Sequence, residues 1–555
     1  MKRMIAMLLA LLLLSGCSAP EAQPAATETL PDAENVQIIP DAAEIPYESR
    51  FDNETEIRLS DDGLDVTGPN SLTVFASHDI VYYEDRDFYE SGNPYGEGED
   101  TDKHTAEEAA KHTVVNITKP GAYRVTGKLT AGQIRVDLGE NAYDDPNAVV
   151  ELILDGADIT CTVAPAILFL NVYECDGNWD ADTAKPDVDT ANAGANLVLV
   201  GENTVNGSYV AKIFKDKDEE KKLWKQDGAI YSYMSMNVFG PGSLDLTAEN
   251  EGMDTELHLT INGGDITIRS GNDGINTNED GVSVTTINGG RLHVIAGLGV
   301  EGDGIDSNGY LVINGGMVVS TAHPASDAGL DSDLGSFIHG GTVIALGAAM
   351  DWAESDSKQV TMNLQFAAYQ APTEKIVVQT EDGKEVFSYD PAADAVLGDH
   401  ARKFMGAVIS CPDFKQGETY LVYVGGQQMQ YTGTDVRRGP GGFGGGKRPD
   451  GSNMPDNAPP EGFNGERPQW TQGDWPDNAP PEGFEPTWPE GEKPELPEGF
   501  GGERPMDGDR GGRGQRPEGF DGSMPEGFGD TGEGNMLFYM QDMVNFFSGI
   551  TAVDE

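Results

Sequence analysis

A short motif of acidic and amide residues recurs four times between residues 251 and 333. Each copy has a glycine followed by two such residues, which are separated from each other by one intervening residue. The motif therefore presents oxygen atoms at regular intervals. Calcium binds six to eight oxygen ligands from carboxylates, amides and backbone carbonyls. The motif contains no Cys or His, which argues against zinc, and the sequence therefore predicts a calcium cofactor. The predicted ligands are Asp254, Glu256, Asp273, Asn276, Asn278, Asp303, Asp306, Asn308, Asp331 and Asp333.

A second repeat predicts the elements that position this motif. Ile-Asn-Gly-Gly starts at Ile261, Ile287 and Ile313, and a fourth copy starts at Ile338, at intervals of 26, 26 and 25 residues. The β-branched alternation behind each copy indicates a strand, and the constant period indicates coils that bury one another's inner faces. A propeller blade needs about 40–45 residues, which is more than one of these repeats supplies, so a propeller is excluded. We therefore predict an all-β fold centred on a parallel β-helix, or solenoid.

Equivalent residues of consecutive coils should align in ladders. Core residues at one position are Ile266, Leu292, Val318 and Val343, and an amide ladder is formed by Asn262, Asn288 and Asn314, with His339 as its last rung. Acidic ladders are Asp254, Asn276, Asp306 and Asp331, and, two positions later, Glu256, Asn278, Asn308 and Asp333. At a coil spacing of about 4.8 Å, Asp306 and Asp331 would repel by roughly 3 kcal/mol at an effective dielectric near 20. A cation between them or full solvation would relieve the repulsion; alternatively, these residues only form turns.

The charge balance excludes two classes of partner. Lys plus Arg is 36 and Asp plus Glu is 94, which gives a net charge of −58. Nucleic-acid binding draws its affinity from Lys and Arg, and docking on an anionic membrane needs a basic patch. We therefore expect no nucleic acid as a partner, and contact with a membrane only through a lipid anchor.

The N-terminus predicts that anchor. Lys2 and Arg3 precede an apolar run that ends in Leu-Ser-Gly-Cys17, as in a signal peptide. The ending resembles the lipobox of bacterial lipoproteins, in which the Cys becomes the lipidated first residue. We predict a lipoprotein signal peptide at 1–17, lipidation of Cys17, a flexible tether at 18–56, and a location on the extracellular face of the bacterial cell membrane.

The solenoid is predicted to span residues 57–355. After it, the composition changes three times. Residues 356–435 read as a small β capping domain, and residues 436–535, with five copies of Pro-Glu-Gly-Phe, as a disordered Pro/Gly-rich tail. Residues 536–555 carry apolar residues at helical spacing, which predicts a short amphipathic helix. Apart from Cys17, the chain has three cysteines, Cys161, Cys175 and Cys411. Because an odd number cannot pair completely, we expect free buried thiols, with a Cys161–Cys175 bridge as the alternative.

Three further stretches, 116–123, 132–137 and 152–160, together with both repeats, resemble the clostridial "carbohydrate-binding domain-containing" lipoprotein family. The resemblance covers about residues 57–435. It implies a right-handed parallel β-helix similar in shape to pectate lyases, calcium binding, and binding of acidic plant polysaccharide such as polygalacturonate, and of cellulose, without established catalysis. Residues 57–355 would then be a carbohydrate-binding domain.

Binding without cleavage is the expected function. A pectate-lyase-like polysaccharide lyase would need a base beside the bound substrate, and Arg269 and Arg291 are the only Arg or Lys residues between 250 and 350. They fall at different repeat positions and neither adjoins the acidic motif. The lyase is one alternative, and a non-enzymatic structural or adhesive cell-surface protein is the other.

Overall fold

The computed structural model describes residues 46–83, 102–216, 221–434 and 534–553, and in 212–225 the backbone alone. All of these residues belong to one unit of the chain, Ile39–Glu555. The predicted signal peptide, Cys17, most of the tether and nearly all of the Pro/Gly-rich tail lie outside the described residues.

The described chain is almost entirely β-structure. The strands up to the end of the repeats are β1 Glu54–Leu59, β2 Asp65–Thr67, β3 Val74–Ser77, β4 Thr113–Ile117, β5 Gly121–Leu129, β6 Gly132–Asp137, β7 Val150–Thr160, β8 Ile167–Asn171, β9 Ala195–Val200, β10 Glu202–Gly207, β11 Val210–Asp216, β12 Lys221–Gln226, β13 Gly228–Ser232, β14 Met236–Phe239, β15 Ser243–Ala248, β16 Glu251–Thr255, β17 Leu259–Ile261, β18 Asp265–Ser270, β19 Ile275–Thr277, β20 Val284–Ile287, β21 Arg291–Ile295, β22 Ile305–Ser307, β23 Tyr310–Ile313, β24 Met317–Thr321, β25 Gly335–Ile338 and β26 Thr342–Gly347. The later strands are β27 Thr361–Gln370, β28 Ile376–Thr380, β29 Glu385–Tyr389, β30 Phe404–Ser410, β31 Thr419–Val424, β32 Gln427–Gln430, β33 Phe538–Tyr539 and β34 Val544–Ala552.

Helix is rare in the part of the chain that the structure describes. It consists of one α-helix, α1 Ala106–Ala109, and the 3₁₀ turns Ser71–Thr73 and Gly398–His400. Over the same residues, no helix has the length and apolar character needed to cross a bilayer.

Three rows of parallel strands build the repeat region. The first sheet contains β4, β6, β8, β13, β16, β19 and β22, with β3 antiparallel at its edge. The second contains β9, β14, β17, β20, β23 and β25, and the third β1, β5, β7, β10, β15, β18, β21, β24 and β26. From β16 to β24 the chain visits the three sheets in turn and returns one strand further along. This is the pairing of a parallel β-helix.

The register of the repeats follows the sequence period. Ile266 pairs with Leu292, Leu292 with Val318, and Val318 with Val343. All four side chains are buried, because alternate residues of a strand face the same side. The predicted core ladder is therefore confirmed.

The predicted amide ladder is also confirmed. Asn288 Nδ2 donates to Asn262 Oδ1 (2.9 Å), and Asn314 Nδ2 donates to Asn288 Oδ1 (2.8 Å). The three residues follow strands of the second sheet, and His339 occupies the corresponding position in the last coil.

The N-terminal boundary differs from the prediction of a flexible tether over 18–56. Strand β1 begins at Glu54 and pairs in parallel with β5, and before it Tyr47 and Phe51 pack against a small apolar cluster. The Ser49 hydroxyl donates to Glu151 Oε2 (2.6 Å), and the backbone N–H of Arg50 donates to its Oε1 (2.9 Å). The last part of the predicted tether is thus bound to the solenoid, through aromatic residues that its Ala- and Pro-rich composition concealed.

All three cysteines of the described chain are free thiols. Burial raises the pKa of the Cys161 thiol to about 12, and burial also raises the pKa values of Cys175 and Cys411. Thiols held in the protonated form are poor nucleophiles, which agrees with a structural role for these residues.

A small β-structure follows the last coil and continues the third sheet. Strand β30 pairs antiparallel with both β26 and β27, while β28, β29, β31 and β32 form antiparallel pairs beyond them. Its apolar core includes Ile344 and Leu346 of the last coil. The end of the solenoid is thereby covered rather than left as an open sheet edge.

The prediction of a short amphipathic helix at 536–555 is wrong, since the segment forms β33 and β34. Strand β34 pairs in parallel with β27 and antiparallel with β32. Asn545 and Phe547 are buried at a period of two, but Ile550 is buried three positions after Phe547. A glycine bulge at Gly549 (φ 62°) adds one residue to the strand, so Ile550 faces the same side as Phe547.

Phe547→Ala should destabilise this capping structure. Phe547 is buried, and its ring centroid lies 4.8 Å from that of Tyr431 and 4.9 Å from that of Phe538. Truncation of a buried Phe costs about 3–5 kcal/mol. Met536→Ala, at a residue 41% exposed, is the control. Urea unfolding of the full chain should show the loss in Phe547→Ala alone; equal midpoints for the two variants would contradict the assignment.

Candidate metal centre

The first acidic ladder lies on the outer face of the first sheet. Asp254 pairs with Asn276, and Asn276 with Asp306, in strands β16, β19 and β22. A parallel bridge from Ile305 to Leu330 carries the register into the last coil, so that Asp331 follows Asp306. Ile305 and Leu330 are core residues, and the next residue of each strand therefore faces outward.

The second ladder is used mainly for hydrogen bonds within the protein. Asn278 Nδ2 donates to Asp254 Oδ1, and Asn308 Nδ2 donates to the Asn278 backbone oxygen (2.9 Å). Glu256 accepts a hydrogen bond from the Tyr231 hydroxyl, while Asp333 at the other end is exposed. Asn278 is therefore placed to orient Asp254.

A third row of acids lies directly before the motif glycines, at Glu251, Asp273 and Asp303. The backbone N–H of Asp303 donates to Asp273 Oδ1 (2.6 Å). Gly274 allows the coils to approach, because a Cβ there would lie 2.6 Å from the backbone oxygen of Gly304. The structure thus brings Asp273 and Asp303 beside the first ladder and adds Glu251 to them.

Three carboxylates converge at the N-terminal end of this array. Asp227, Glu251 and Asp254 each offer an oxygen, and these atoms lie within 4.8 Å of one another. Asn276 Nδ2 donates to Glu251 Oε1 (3.3 Å), and Asn276 Oδ1 is buried with no hydrogen-bond partner among the described residues. This buried acidic cluster could hold a metal ion, with the amide oxygen as a further ligand.

Burial and mutual repulsion perturb the acids in the middle of the array. The pKa of Asp273 is raised well above its ordinary value by burial and by Glu251, Asp306 and Asp303. Burial, with Asp331 and Asp303 next in effect, likewise raises the pKa of Asp306. Burial and Asp331 raise the pKa of Asp303 to about 7. The array therefore favours a proton or a cation at these sites.

The C-terminal end of the array is closed by Asp351, which accepts a hydrogen bond from the Ser332 hydroxyl (2.7 Å). Burial raises the pKa of Asp351 to about 7, despite that hydrogen bond, and nearby acids add to the shift. The pKa of Asp331 is also raised, chiefly by burial.

The donor set is made of oxygen atoms. The acidic ladders consist of Asp, Glu and Asn, the ligand types that suit calcium and other hard cations. The unpartnered amide oxygen of Asn276, together with several carboxylates of raised pKa, makes this array a candidate cation site.

A family profile described as "Carbohydrate-binding domain-containing protein" matches residues 111–407. This match covers more than half of the chain, including every ladder of the candidate metal centre. The chain belongs to this family.

A relative in the carbohydrate-binding domain family has the same description. It is the "Carbohydrate-binding domain-containing protein" of Acetivibrio thermocellus, which is 30% identical to this chain over 157 residues. The alignment covers 28% of this chain and 45% of the relative, so the chain spans less than half of the length of that protein.

A solved structure was also found, the "polysaccharide lyase-like protein from C. thermocellum, Gadolinium derivative". The alignment covers 52% of this carbohydrate-binding domain protein and 92% of the solved chain, at 21% sequence identity and a TM-score of 0.30. A score this low does not establish a common fold.

Three acids of the array were absent from the predicted ligands. Glu251 occupies the position before the motif glycine that Asp273 and Asp303 occupy, and the repeat could have identified it. Asp227 precedes Gly228 one coil earlier, where the motif is degenerate. Asp351 follows the last coil, where the period ends and no spacing signal exists.

Proposed function

We propose that this protein binds an acidic polysaccharide of the plant cell wall, such as polygalacturonate, through calcium held at the candidate metal centre, and does not cleave it. The proposal is carried by one observation. Outward-facing carboxylates are stacked across adjacent coils, and the pKa values of Asp273, Asp303 and Asp306 are raised by burial and by neighbouring carboxylates of the array. Membership of a carbohydrate-binding domain family supplies the ligand class.

Calcium fits the residues that are present. Glu251, Asp273, Asn276 and Asp306 offer carboxylate and amide oxygens on neighbouring strands, and the Asn276 amide oxygen has no other partner in the described chain. Calcium bound there would supply positive charge and open coordination positions for uronate carboxylates. A highly acidic protein otherwise repels an acidic glycan, so such a bridge is required for binding.

The arginines support binding without cleavage. Arg269 Nη1 lies 2.5 Å from Asp245 Oδ1, and Arg291 Nε lies 3.6 Å from Asp265 Oδ1. Both arginines belong to the third sheet, whereas the acidic array belongs to the first. A lyase needs a base near the bound uronate, and these two residues are occupied elsewhere.

The cellular setting completes the proposal. Lipidation at Cys17 would hold the protein on the outer face of the bacterial cell membrane, with the β-helix projecting from it. A right-handed coil is expected, because parallel strands joined by a crossover connect with that hand in about 98% of cases.

Affinity electrophoresis in native gels containing polygalacturonate tests the function. Wild type should be retarded in the presence of calcium and released by a chelator. Asp306→Asn should bind about tenfold more weakly, since one carboxylate ligand becomes a neutral amide. Asp62→Asn, at an exposed acid outside the array, is the control and should match wild type.

Three results would contradict this function. Equal retardation with calcium and with chelator would remove the metal from the binding mechanism. A steady rise in the absorbance of unsaturated uronides would make the protein a polysaccharide lyase. Absence of retardation in every condition would favour a structural or adhesive surface protein.

A further inference from the structure

A partly buried arginine joins the last coils to the small β-structure that covers them. Arg402 lies two residues before β30. Its Nη1 atom donates to the backbone oxygens of Gly297 (2.8 Å) and Ala322 (3.3 Å), which follow strands β21 and β24 of the third sheet. These two strands pair with each other, so Arg402 contacts the turns of two adjacent coils.

The charge of this arginine is not balanced by a carboxylate. Arg124, Arg135 and Arg269 each lie between 2.5 and 2.8 Å from a carboxylate oxygen, whereas Arg402 has no such partner among the described residues. Its Nη2 atom is buried and has no hydrogen-bond partner there either. Burial lowers the pKa of the Arg402 guanidinium, but an arginine remains charged at neutral pH. Such a charge is costly to bury unless another group compensates it.

A small pocket of about 10 Å³ lies beside Arg402, between the last coil and the structure that covers it. Its walls include the buried apolar side chains of Leu346, Leu397 and Phe404. Arg402 and Lys403 also line the pocket, and none of the described acids does. In a chain with 94 acidic and 36 basic residues, a lining with two cations and no carboxylate favours an anion. The apolar walls strengthen that attraction, because they lower the local dielectric constant.

We propose that this pocket binds a halide ion, chloride in ordinary buffers, as the counter-ion of Arg402. A volume of about 10 Å³ holds one water-sized sphere, so a single-atom anion fits, whereas a phosphate or sulfate ion is too large. A water molecule would accept a hydrogen bond from Nη2 but would leave the charge unbalanced. A halide ion does both. The inference is independent of the proposed function, because it involves neither the acidic array nor a polysaccharide.

The bound ion should stabilise the contact between the solenoid and the structure that covers its end. Arg402 reaches Gly297 and Ala322 only by placing its guanidinium between the two parts, and a counter-ion lowers the cost of burying that charge. Because the ion binds only to the folded protein, its effect should saturate with concentration. Screening of surface charges depends instead on ionic strength, whichever monovalent anion supplies it.

Melting of the full chain in chelator tests the site, with sodium chloride replacing sodium gluconate at constant ionic strength. Gluconate carries the same charge but is too large for the pocket. At a chloride concentration of about ten times Kd, wild type should melt about 2 °C higher than in gluconate. Arg402→Gln, which keeps a hydrogen-bonding side chain without the charge, should lose this rise. Arg58→Gln, at an exposed arginine of β1, is the matched control and should keep it.

A crystal of the full wild-type chain soaked in sodium bromide gives a second measurement, which decides the matter even if Arg402→Gln does not fold. Bromide should give an anomalous peak in the pocket beside Arg402 Nη2. Equal melting of wild type in chloride and gluconate would overturn the inference, as would a full chloride effect in Arg402→Gln. Bromide peaks at other surface positions only, with water alone in the pocket, would also overturn it. Calcium-dependent retardation by polygalacturonate is measured separately, so these outcomes leave the proposed function unaffected.

Discussion

Calcium is expected to raise the melting temperature of the wild-type protein, and Asp306→Asn is expected to reduce that rise. A ligand that binds only the folded state adds about 2.7 kcal/mol at a concentration of about 100 times Kd. For the described chain of close to 400 residues, at an unfolding entropy of about 2.1 cal/mol/K per residue, such a gain corresponds to a shift of roughly 3 °C. The wild-type shift, measured by calorimetry in calcium and in chelator, should therefore be several degrees.

The variant should differ from wild type in opposite directions in the two conditions. In chelator, Asp306→Asn removes a carboxyl group whose pKa is raised by burial and by Asp331. The variant should therefore melt at a higher temperature than wild type. In calcium, it lacks one charged ligand and should gain less. Asn276 already occupies the adjacent rung, so an amide is tolerated there. Asp62, an exposed acid outside the array, should be inert when replaced; an equal calcium shift in Asp306→Asn would contradict the site.

The calcium-free protein is expected to become more stable as the pH falls from 8.5 to 6.5. The pKa values of Asp303 and Asp351 are raised to about 7, whereas an unfolded Asp titrates near 3.9. The folded state therefore binds more protons than the unfolded state between these values, and its stability is lost as pH rises through the folded pKa. Calcium should flatten this dependence, because it replaces the protons.

Three histidines set the lower limit of that experiment. The pKa values of His112, His293 and His339 are lowered, in each case chiefly by burial, so below about 6.5 their protonation in the unfolded state opposes the gain. Melting curves between pH 8.5 and 6.5 in chelator measure the acidic array, and Asp303→Asn should reduce the slope. If the calcium-free protein were most stable at pH 8.5, that result would contradict the raised pKa values.

The core and amide ladders could be predicted from the sequence because they depend on the period alone. Once the coils are 25 or 26 residues long, Ile266 must lie over Leu292 and Asn262 over Asn288, and the structure has both pairs. The acidic ladder does not keep this period, and Asp306 is placed next to Asn276 by aligning the acidic motif of the two coils. A constant repeat converts sequence positions into spatial neighbours, which few other folds allow.

Features outside the period could not be predicted in this way. Asp351 reaches the array from the segment after the last coil, through its hydrogen bond with Ser332. Residues 536–555 form β33 and β34 because they pair with β27, β31 and β32, which lie far away in the sequence. In both cases tertiary contacts determine where the segment lies, and the spacing of residues in the local sequence does not reveal those contacts.

The most direct test of calcium binding is anomalous scattering from a crystal of the full chain soaked in calcium. At least one peak is expected on the outer face of the first sheet, within about 2.3–2.6 Å of carboxylate oxygens from Glu251, Asp273 or Asp306. A well-ordered array with no anomalous peak at any of these carboxylates would contradict it and would leave them as turn-forming residues.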